Sequence, residues 1–351
     1  MIKDFLEKLI HHENLTCEEA YQVMRQVMKG EFKEAQVAAY LVALRCKGEA
    51  VDEILGSCQA IREHSIKISV TRTPLVDTCG TGGDGKGSFN ISTVSAFVTA
   101  GAGITVAKHG NRAVSGQCGS ADLCEALGIN LELSTGDLEH CLNEIGLGFL
   151  YAPLLHPAMA HALPARKALG VRTIFNLLGP LNNPAGARRQ LLGIYESALT
   201  EKMAAVLASS GSEHVLVVAG GDGLDEITLT AETKVTEMKN GNIQSYIITP
   251  EDFGFSRVSM RSLKGGDTAA GTYSCLAVLK GEKGPYRDVV LLNAGAAVYV
   301  SGLASSIREG IELAKKSIDS GAAYEKLQAL VEFSSYRRES ARRIEGGRAH
   351  A

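Results

Sequence analysis

The chain has 351 residues, 45% hydrophobic and 21% charged, which is enough apolar side chain for a sizeable core and more length than one average domain needs. Its formal net charge of −3 gives no general attraction to nucleic acid or to an anionic membrane, so any anion binding must be local. No basic-then-apolar leader opens the sequence, no apolar run is long enough to span a bilayer, and the eight cysteines form no C-x-x-C pair. These features predict reduced thiols and a cytoplasmic location.

Residues 1–72 read as a small all-helical domain. Thr16 with Glu19 forms a capping box ahead of a helix whose Tyr21, Met24, Val27 and Met28 fall on one face. Ala35 to Cys46 is a second helix, stopped by Gly48, and Val51 to His64 is a third, with Ile54, Leu55, Cys58 and Ile61 on one side. At Pro74 the pattern changes to short apolar strands alternating with helices, and this second domain takes the rest of the chain, 73–351. Leu75–Thr78 reads as a strand, followed by a glycine-rich turn and a helix through Val94, Phe97 and Val98. Ile104–Ala107 is the next strand. Ala121–Leu127 and Leu138–Ile145 read as helices, Gly148–Tyr151 as a strand, and Pro157 to Leu169 as a helix. Strands Gln190–Tyr195 and His214–Ala219 flank a helix at Leu199–Ala208. Val235–Ile248, with Asn240-Gly241 at its centre, reads as a hairpin. Helices Val289–Val300 and Ser306–Ile318 close the domain, and Ala341–Ala351 reads as a frayed helix end. The alternation predicts an α/β sheet covered by helices on both faces.

Residues 77–93 read DTCGTGGDGKGSFNIST. Gly80-x-Gly82-x-x-Gly85 matches the dinucleotide-binding pattern, but that reading wants an acid at the end of the following strand, where Lys108 and His109 stand instead. Gly80-x-x-x-x-Gly85-Lys86 matches the phosphate loop of nucleotide hydrolases until the next position, which must be Ser or Thr and is Gly87. Both near-misses share one physical content. Glycines let backbone N–H groups converge on an anion, and a helix starting near Ile91 adds the positive end of its dipole. A bland alternative is a tight turn that needs glycine only for its dihedrals. Asn90, Ser92 and Thr93 at the helix start weigh against it.

Residues 108–122 read KHGNRAVSGQCGSAD. Lys108, His109 and Arg112 lie at a strand's carboxyl end, where α/β sheets bind ligands, and next to a second glycine-containing turn they read as a phosphate clamp rather than a solvated loop. Residues 222–226 read DGLDE, and the adjacent carboxylates Asp225 and Glu226 suit magnesium held near an anionic substrate, the competing reading being an exposed acidic turn. His156 and His161 are five positions apart on a helical segment, so they face different ways and do not suggest zinc. Cys118 and Cys124 read as small side chains near a helix start rather than half of a metal site. Arg166, on the same segment as His161, is a candidate carboxylate fork.

Taken together and in order, GTGGDG (80–85), FNIST (89–93), KHGNR (108–112), GSAD (119–122), HPAM (156–159), RTIFNLLGPLNNPA (172–185) and DGLDE (222–226) resemble the anthranilate phosphoribosyltransferase family over essentially the whole chain, to about Tyr324. The resemblance implies a fold related to the nucleoside phosphorylases, with a small N-terminal helical domain beside a large α/β domain and a segment at about 160–185 returning to the helical part. It implies a homodimer joined through the helical domain. It implies transfer of phosphoribose from phosphoribosyl pyrophosphate to the amino group of anthranilate, with Mg2+ as cofactor and two ions expected. The residues it assigns to phosphoribosyl pyrophosphate are Gly80, Gly83, Asp84, Ser88, Asn90, Ile91, Ser92, Thr93, Lys108, His109, Gly110, Asn111, Arg112, Ala113, Val114, Ser115, Gly116 and Ser120. Those assigned to anthranilate are Gly80, His109, Asn111 and Arg166, and those assigned to metal are Ser92, Asp225 and Glu226. One departure stands out: where the family commonly has two serines in a row and a base after Arg112, this chain has Gly116 for the second serine and Gln117 for the base. Weakened phosphate contact is the expected consequence.

The chemistry agrees with this assignment. The leaving pyrophosphate carries charge that metal and backbone donors stabilise, and the aromatic amine of anthranilate is already neutral, so no covalent nucleophile is expected. Two competitors remain. A pyrimidine nucleoside phosphorylase on the same fold is disfavoured by the Asp225-Glu226 pair, and a non-catalytic nucleic-acid-binding relative would need a basic face.

Overall fold

A computed structural model describes residues 2–113 and 117–348, with side chains through residue 337. Four helices open the chain: α1 (Ile2–Ile10), α2 (Cys17–Met28), α3 (Glu34–Lys47) and α4 (Val51–Glu63). The capping box at α2 is formed. Glu19 N donates to Thr16 Oγ1 at 3.2 Å and Thr16 N donates to Glu19 Oε2 at 2.9 Å, so orphan donors of the first turn are satisfied reciprocally. The buried stripe of α2 is Ala20, Val23, Met24, Val27 and Met28. Tyr21 lies on its flank, where the phenol donates to Glu63 Oε2 of α4 at 2.5 Å.

The chain then enters β1 (Leu75–Gly80), α5 (Ile91–Gly101), β2 (Thr105–Gly110), α6 (Ser120–Ala126), α7 (Thr135–His140) and β3 (Leu147–Tyr151). Short helices α8 (Ala152–Leu155), α9 (Leu163–Leu169) and α10 (Phe175–Leu178) precede β4 (Arg189–Gly193), α11 (Thr200–Ser209), β5 (His214–Gly220) and the hairpin β6 (Thr233–Lys239) and β7 (Asn242–Ile248). Helices α12 (Thr268–Leu279), α13 (Pro285–Ser301), α14 (Ile307–Asp319) and α15 (Ala322–Arg348) complete the domain.

The seven strands form one mixed sheet in the order β3-β2-β1-β4-β5-β6-β7. The first five are parallel, and the hairpin adds antiparallel strands at one edge. Strand side chains alternate between faces, and the core divides accordingly. Val76, Val106, Leu191, Leu216 and Val218 pack into the cluster that holds α5, α13 and α14. On the opposite face, Cys79, Leu192, Val215 and Val217 share a second cluster with α2–α4 and with residues 162–181. The helical domain therefore rests on the sheet itself, and Ala162, Ala165, Ile174, Phe175, Leu178 and Leu181 are buried in the same cluster. Ala107 and Leu150 bury a third, smaller cluster with Ile68, Leu138 and Leu142.

Several boundaries differ from the sequence expectations, each for a physical reason. β2 runs through Gly110, because residues 106–110 pair with β3 along their full length. Lys108 and His109 therefore sit inside the strand rather than beyond its end. Cys141–Ile145 is a π-helical turn on the end of α7, and residues 157–169 split into a 3-10 stretch at Pro157–Ala162 followed by α9. Helix α12 was not expected: its sequence, TAAGTYSCLAVL, is made of small residues with no clean apolar stripe. Nor was α15, which buries Ala323, Leu327 and Leu330. Residues 341–348 continue that helix.

Candidate active site

One cavity of about 640 Å3 opens at the carboxyl ends of β1 and β2, within the usual range for small-molecule sites. Its lining contains Gly80, Gly83, Asp84, Ser88 and Asn90 to Thr93 from the glycine loop and the start of α5. Lys108 to Ala113 and Ser120 come from β2 and the turn after it, and Asp225 and Glu226 from the loop after β5. The sequence spreads these residues over nearly 150 positions, and the parallel sheet gathers them because its strand ends share one edge. Val114, Ser115 and Gly116 lie outside the described residues.

The glycine loop needs its glycines. Gly82, Gly83, Gly85 and Gly87 all have φ between +61° and +70°, the left-handed region that side chains disfavour. The loop's path is pinned at several points. Gly82 N donates to Asp225 Oδ2 at 2.7 Å, Lys86 N donates to Asp84 Oδ1 at 3.0 Å, and the Arg172 guanidinium donates to the Gly83 carbonyl. Arg172 itself lies 3.9 Å over the Tyr195 ring, which fixes its plane. Gly80 serves a different need, close approach, since a Cβ there would meet Asp225 Oδ2 at 2.3 Å.

Helix α5 begins at Ile91 with no side-chain cap from Asn90. Ser92 N instead donates to Glu226 Oε1 at 3.1 Å, so a carboxylate sits at the positive end of the helix. Glu226, Asp225 and Asp84 stand near one another with little water. Burial first, and the neighbouring Asp225 second, push Glu226 up to about 8 despite Lys108. Burial, with Asp84 next, raises Asp225 to about 6. Asp84 Oδ2 and Thr93 Oγ1 are buried without hydrogen-bond partners. Clustered carboxylates are hard oxygen donors, and such a set suits Mg2+. Among the described residues, no three acidic, histidine or cysteine side chains are preassembled as a cage. An ion here would complete its shell with substrate oxygens and water, as Mg2+ commonly does.

The opposite wall is cationic and polar. Lys108 is buried, with its ammonium 3.4 Å from the His109 carbonyl. Below it, Asp77, also buried, accepts from His109 N at 3.2 Å and from Gln190 Nε2 at 3.3 Å. The His109 ring stands 5.1 Å from that of His156. Burial above all holds His109 down at about 3 and His156 at about 4, so both are neutral at pH 7. Asn111 lines the cavity, its N–H donating to Ser120 Oγ at 3.2 Å. Arg112 also lines it, yet its guanidinium is engaged with Asp122 Oδ1 and Glu125 Oε2, both at 2.9 Å.

Arg166 lies outside the cavity lining. It sits half-buried on α9, with its guanidinium 5.0 Å from the Phe175 ring. The residue after that ring, Asn176, does line the cavity. His161 is exposed and away from His156, which is buried. Sequence reasoning missed Asp77, buried behind the cavity wall, and two parts of the lining itself, Asn176 and the Lys264-Gly265-Gly266 turn that comes from the far end of the chain. A signal existed for Asp77, a lone acid inside an apolar strand; Lys264 offered none.

Comparison with known proteins extends this picture. The family model described as "Glycosyl transferase family, a/b domain" matches residues 72–324, and "Glycosyl transferase family, helical bundle domain" matches residues 3–65. The anthranilate phosphoribosyltransferase of Moorella thermoacetica is 50% identical over 331 residues, covering 94% of this chain and 98% of that protein. That of Nitrosomonas europaea is 49% identical over 331 residues, covering 94% and 97%. The crystal structure of the Thermus thermophilus enzyme superposes with a TM-score of 0.89 at 44% identity, covering 94% of this chain and 99% of that one. The Saccharomyces cerevisiae enzyme in complex with phosphoribosyl pyrophosphate and Mg superposes at 0.87 with 26% identity, covering 95% and 98%.

Proposed function

The chain belongs to the anthranilate phosphoribosyltransferase family, and from that membership we propose how its cavity divides the work of the reaction. The enzyme transfers phosphoribose from phosphoribosyl pyrophosphate to the amino group of anthranilate, releasing pyrophosphate, in tryptophan synthesis. One observation carries the reading: a glycine loop with Asp84 on it lines one cavity together with the buried carboxylates of Asp225 and Glu226.

The loop from Gly80 through Ser88, with Asn90 to Thr93, cradles phosphate oxygens, and the dipole of α5 adds to that attraction. Lys108 lends positive charge from below. Ser92, Asp225 and Glu226 hold magnesium, with two ions as the expected number. When bound, Mg2+ neutralises charge on the departing pyrophosphate. His109, kept neutral by burial, offers a polar wall without repelling a cation. Asn111 and Arg166 take the anthranilate carboxylate. Arg166 suits that role because among the described residues it contacts an aromatic ring and no carboxylate. Phosphate donors at one end and a carboxylate fork at the other fix both substrates, and no residue need form a covalent intermediate.

The division into a helical domain at 1–72, joined by 160–185, and an α/β domain from 73 onward belongs to the same reading, because ligands favour clefts between such units. So does a homodimer through the helical domain. Exposed Val42 on α3 and Leu163 on α9 supply apolar surface there, and sedimentation at the mass of a single chain would rule the dimer out.

Steady-state kinetics test the roles. Arg166→Ala should raise the KM for anthranilate by about ten-fold or more, the cost of losing a charged hydrogen bond, while the KM for phosphoribosyl pyrophosphate stays near the parent's. Asp225→Ala with Glu226→Ala should move the Mg2+ requirement to higher concentration. Parent-like behaviour of both variants would show the assignments to be wrong.

A further inference from the structure

Among the described cations that line the cavity, one is neither buried nor ion-paired. Three permanently charged cations line it: Lys108, Arg112 and Lys264. Lys108 is buried within β2, and Arg112 is bound to Asp122 and Glu125. Gln117, which lines the same wall, brings no charge. Lys264 differs from all of these. Its side chain is exposed at the rim, and among the described residues it makes no ion pair. Its ammonium lies along the glycine loop, donating to the Lys86 carbonyl at 2.8 Å and standing 3.7 Å from where a Cβ on Gly87 would be. That contact uses one of the ammonium's donors and leaves others for a ligand.

The backbone around Lys264 grips the same loop. Phe89 N donates to Leu263 O and Gly265 N to Gly87 O, each at 3.0 Å, while Ser88 and Lys264 form an antiparallel bridge. The Tyr286 hydroxyl donates to Lys264 O at 2.5 Å, and its ring centre lies 4.5 Å from that of Phe89. The position of Lys264 is thus set by its main chain, while its charged tip is left without an acidic partner.

We propose that Lys264 is a substrate-binding residue, whose ammonium pairs with phosphate oxygens of phosphoribosyl pyrophosphate held along the 86–88 half of the glycine loop. This rests on the transferase reading above. It supplies, from a turn remote in sequence, positive charge that position 117 lacks.

The test uses the full chain with Lys264→Gln and Lys264→Arg. Glutamine keeps a donor for the Lys86 carbonyl and loses the charge; arginine keeps both. The inference expects Lys264→Gln to raise the KM for phosphoribosyl pyrophosphate about ten-fold, to leave that for anthranilate within about two-fold, and to flatten the dependence on salt. Lys264→Arg should stay within about three-fold of the parent. Calorimetry with Mg2+ and inorganic pyrophosphate, and separately with ribose 5-phosphate, tells which phosphate is held, because only the matching probe should bind less tightly to Lys264→Gln. An active parent with an unchanged Lys264→Gln variant overturns the inference alone. So does equal loss in both variants, which marks a clasp rather than a charge, and so does undiminished binding of both probes. A parent without turnover overturns the transferase reading and this inference with it.

Discussion

Gly80→Ala tests how tightly the loop and the acidic pair are built around each other. A Cβ at residue 80 would stand 2.3 Å from Asp225 Oδ2, 3.0 Å from its Cγ and 3.2 Å from its main-chain oxygen. Ordinary carbon–oxygen contact needs about 1 Å more than the first of these distances. Residue 80 does not have a positive φ, so alanine suits its backbone, and the carboxylate is what must move. Moving it breaks the 2.7 Å hydrogen bond from Gly82 N, a charged contact worth about 1.5–3 kcal/mol, and shifts a proposed metal ligand by roughly 1 Å. A displacement of that size costs about 100-fold in rate when it disturbs the reacting geometry. We expect kcat/KM to fall about 10- to 100-fold and half-saturation by Mg2+ to rise, with the melting temperature lowered by only a few degrees. The assay is loss of anthranilate fluorescence over a Mg2+ titration, beside a thermal melt of each protein. Gly193→Ala is the contrast. Its Cβ would meet the Asp225 main-chain oxygen at 1.6 Å, which no side-chain rotation relieves, so that variant should fail to fold stably. A Gly80→Ala enzyme with parental rate and Mg2+ dependence would mean that the Asp225 carboxylate has no part in holding the metal.

The buried acids also make metal-free stability depend on pH. Glu226 and Asp225 are raised in the folded chain, to about 8 and about 6, so the folded protein binds more protons than the unfolded chain above the ordinary carboxylate range. Stability without metal should therefore decline as pH rises from about 5 to 8, and Glu226→Gln should melt several degrees higher than the parent at pH 8.5 in chelator while losing activity. A variant no more stable than the parent there would contradict this. Glu237, far from the cavity, behaves in the opposite way. Burial works against its charge, but hydrogen bonds from His214 at 2.8 Å and Tyr299 at 2.7 Å prevail and hold it at about 2. Glu237→Gln should cost about 2–4 kcal/mol in denaturant unfolding at pH 7 and leave the KM of both substrates unchanged. Altered KM values would mean that the hairpin edge communicates with the site.

Local signals carried much of the fold. The Thr16–Glu19 box, Gly48 after α3, and Asn240-Gly241 in the hairpin each act through neighbours in sequence, and each stands where its chemistry requires. The anion-binding character of the glycine loop was legible for the same reason, since positive φ is a property of single residues. What depends on distant partners was not legible. Lys108 is a buried strand residue only because β2 pairs with β3 as far as Gly110. The ion pairs of Arg112 with Asp122 and Glu125 appear only when the turn after β2 folds back on α6. Lys264 reaches a loop 178 residues away, a contact that no spacing rule anticipates. Helix α12 showed no apolar stripe because its buried face begins with Gly271, Ser274 and Cys275, residues that carry little hydrophobic signal.

In the proposed function, one cavity organised by Gly80–Asn90 and the Asp225-Glu226 pair joins anthranilate to phosphoribose. The purified chain mixed with anthranilate, phosphoribosyl pyrophosphate and Mg2+ tests it most directly. Anthranilate fluorescence should be lost with one pyrophosphate released per anthranilate consumed, and chelator should abolish and added Mg2+ restore that loss. Anthranilate left unconsumed by folded protein in the presence of Mg2+ would contradict it.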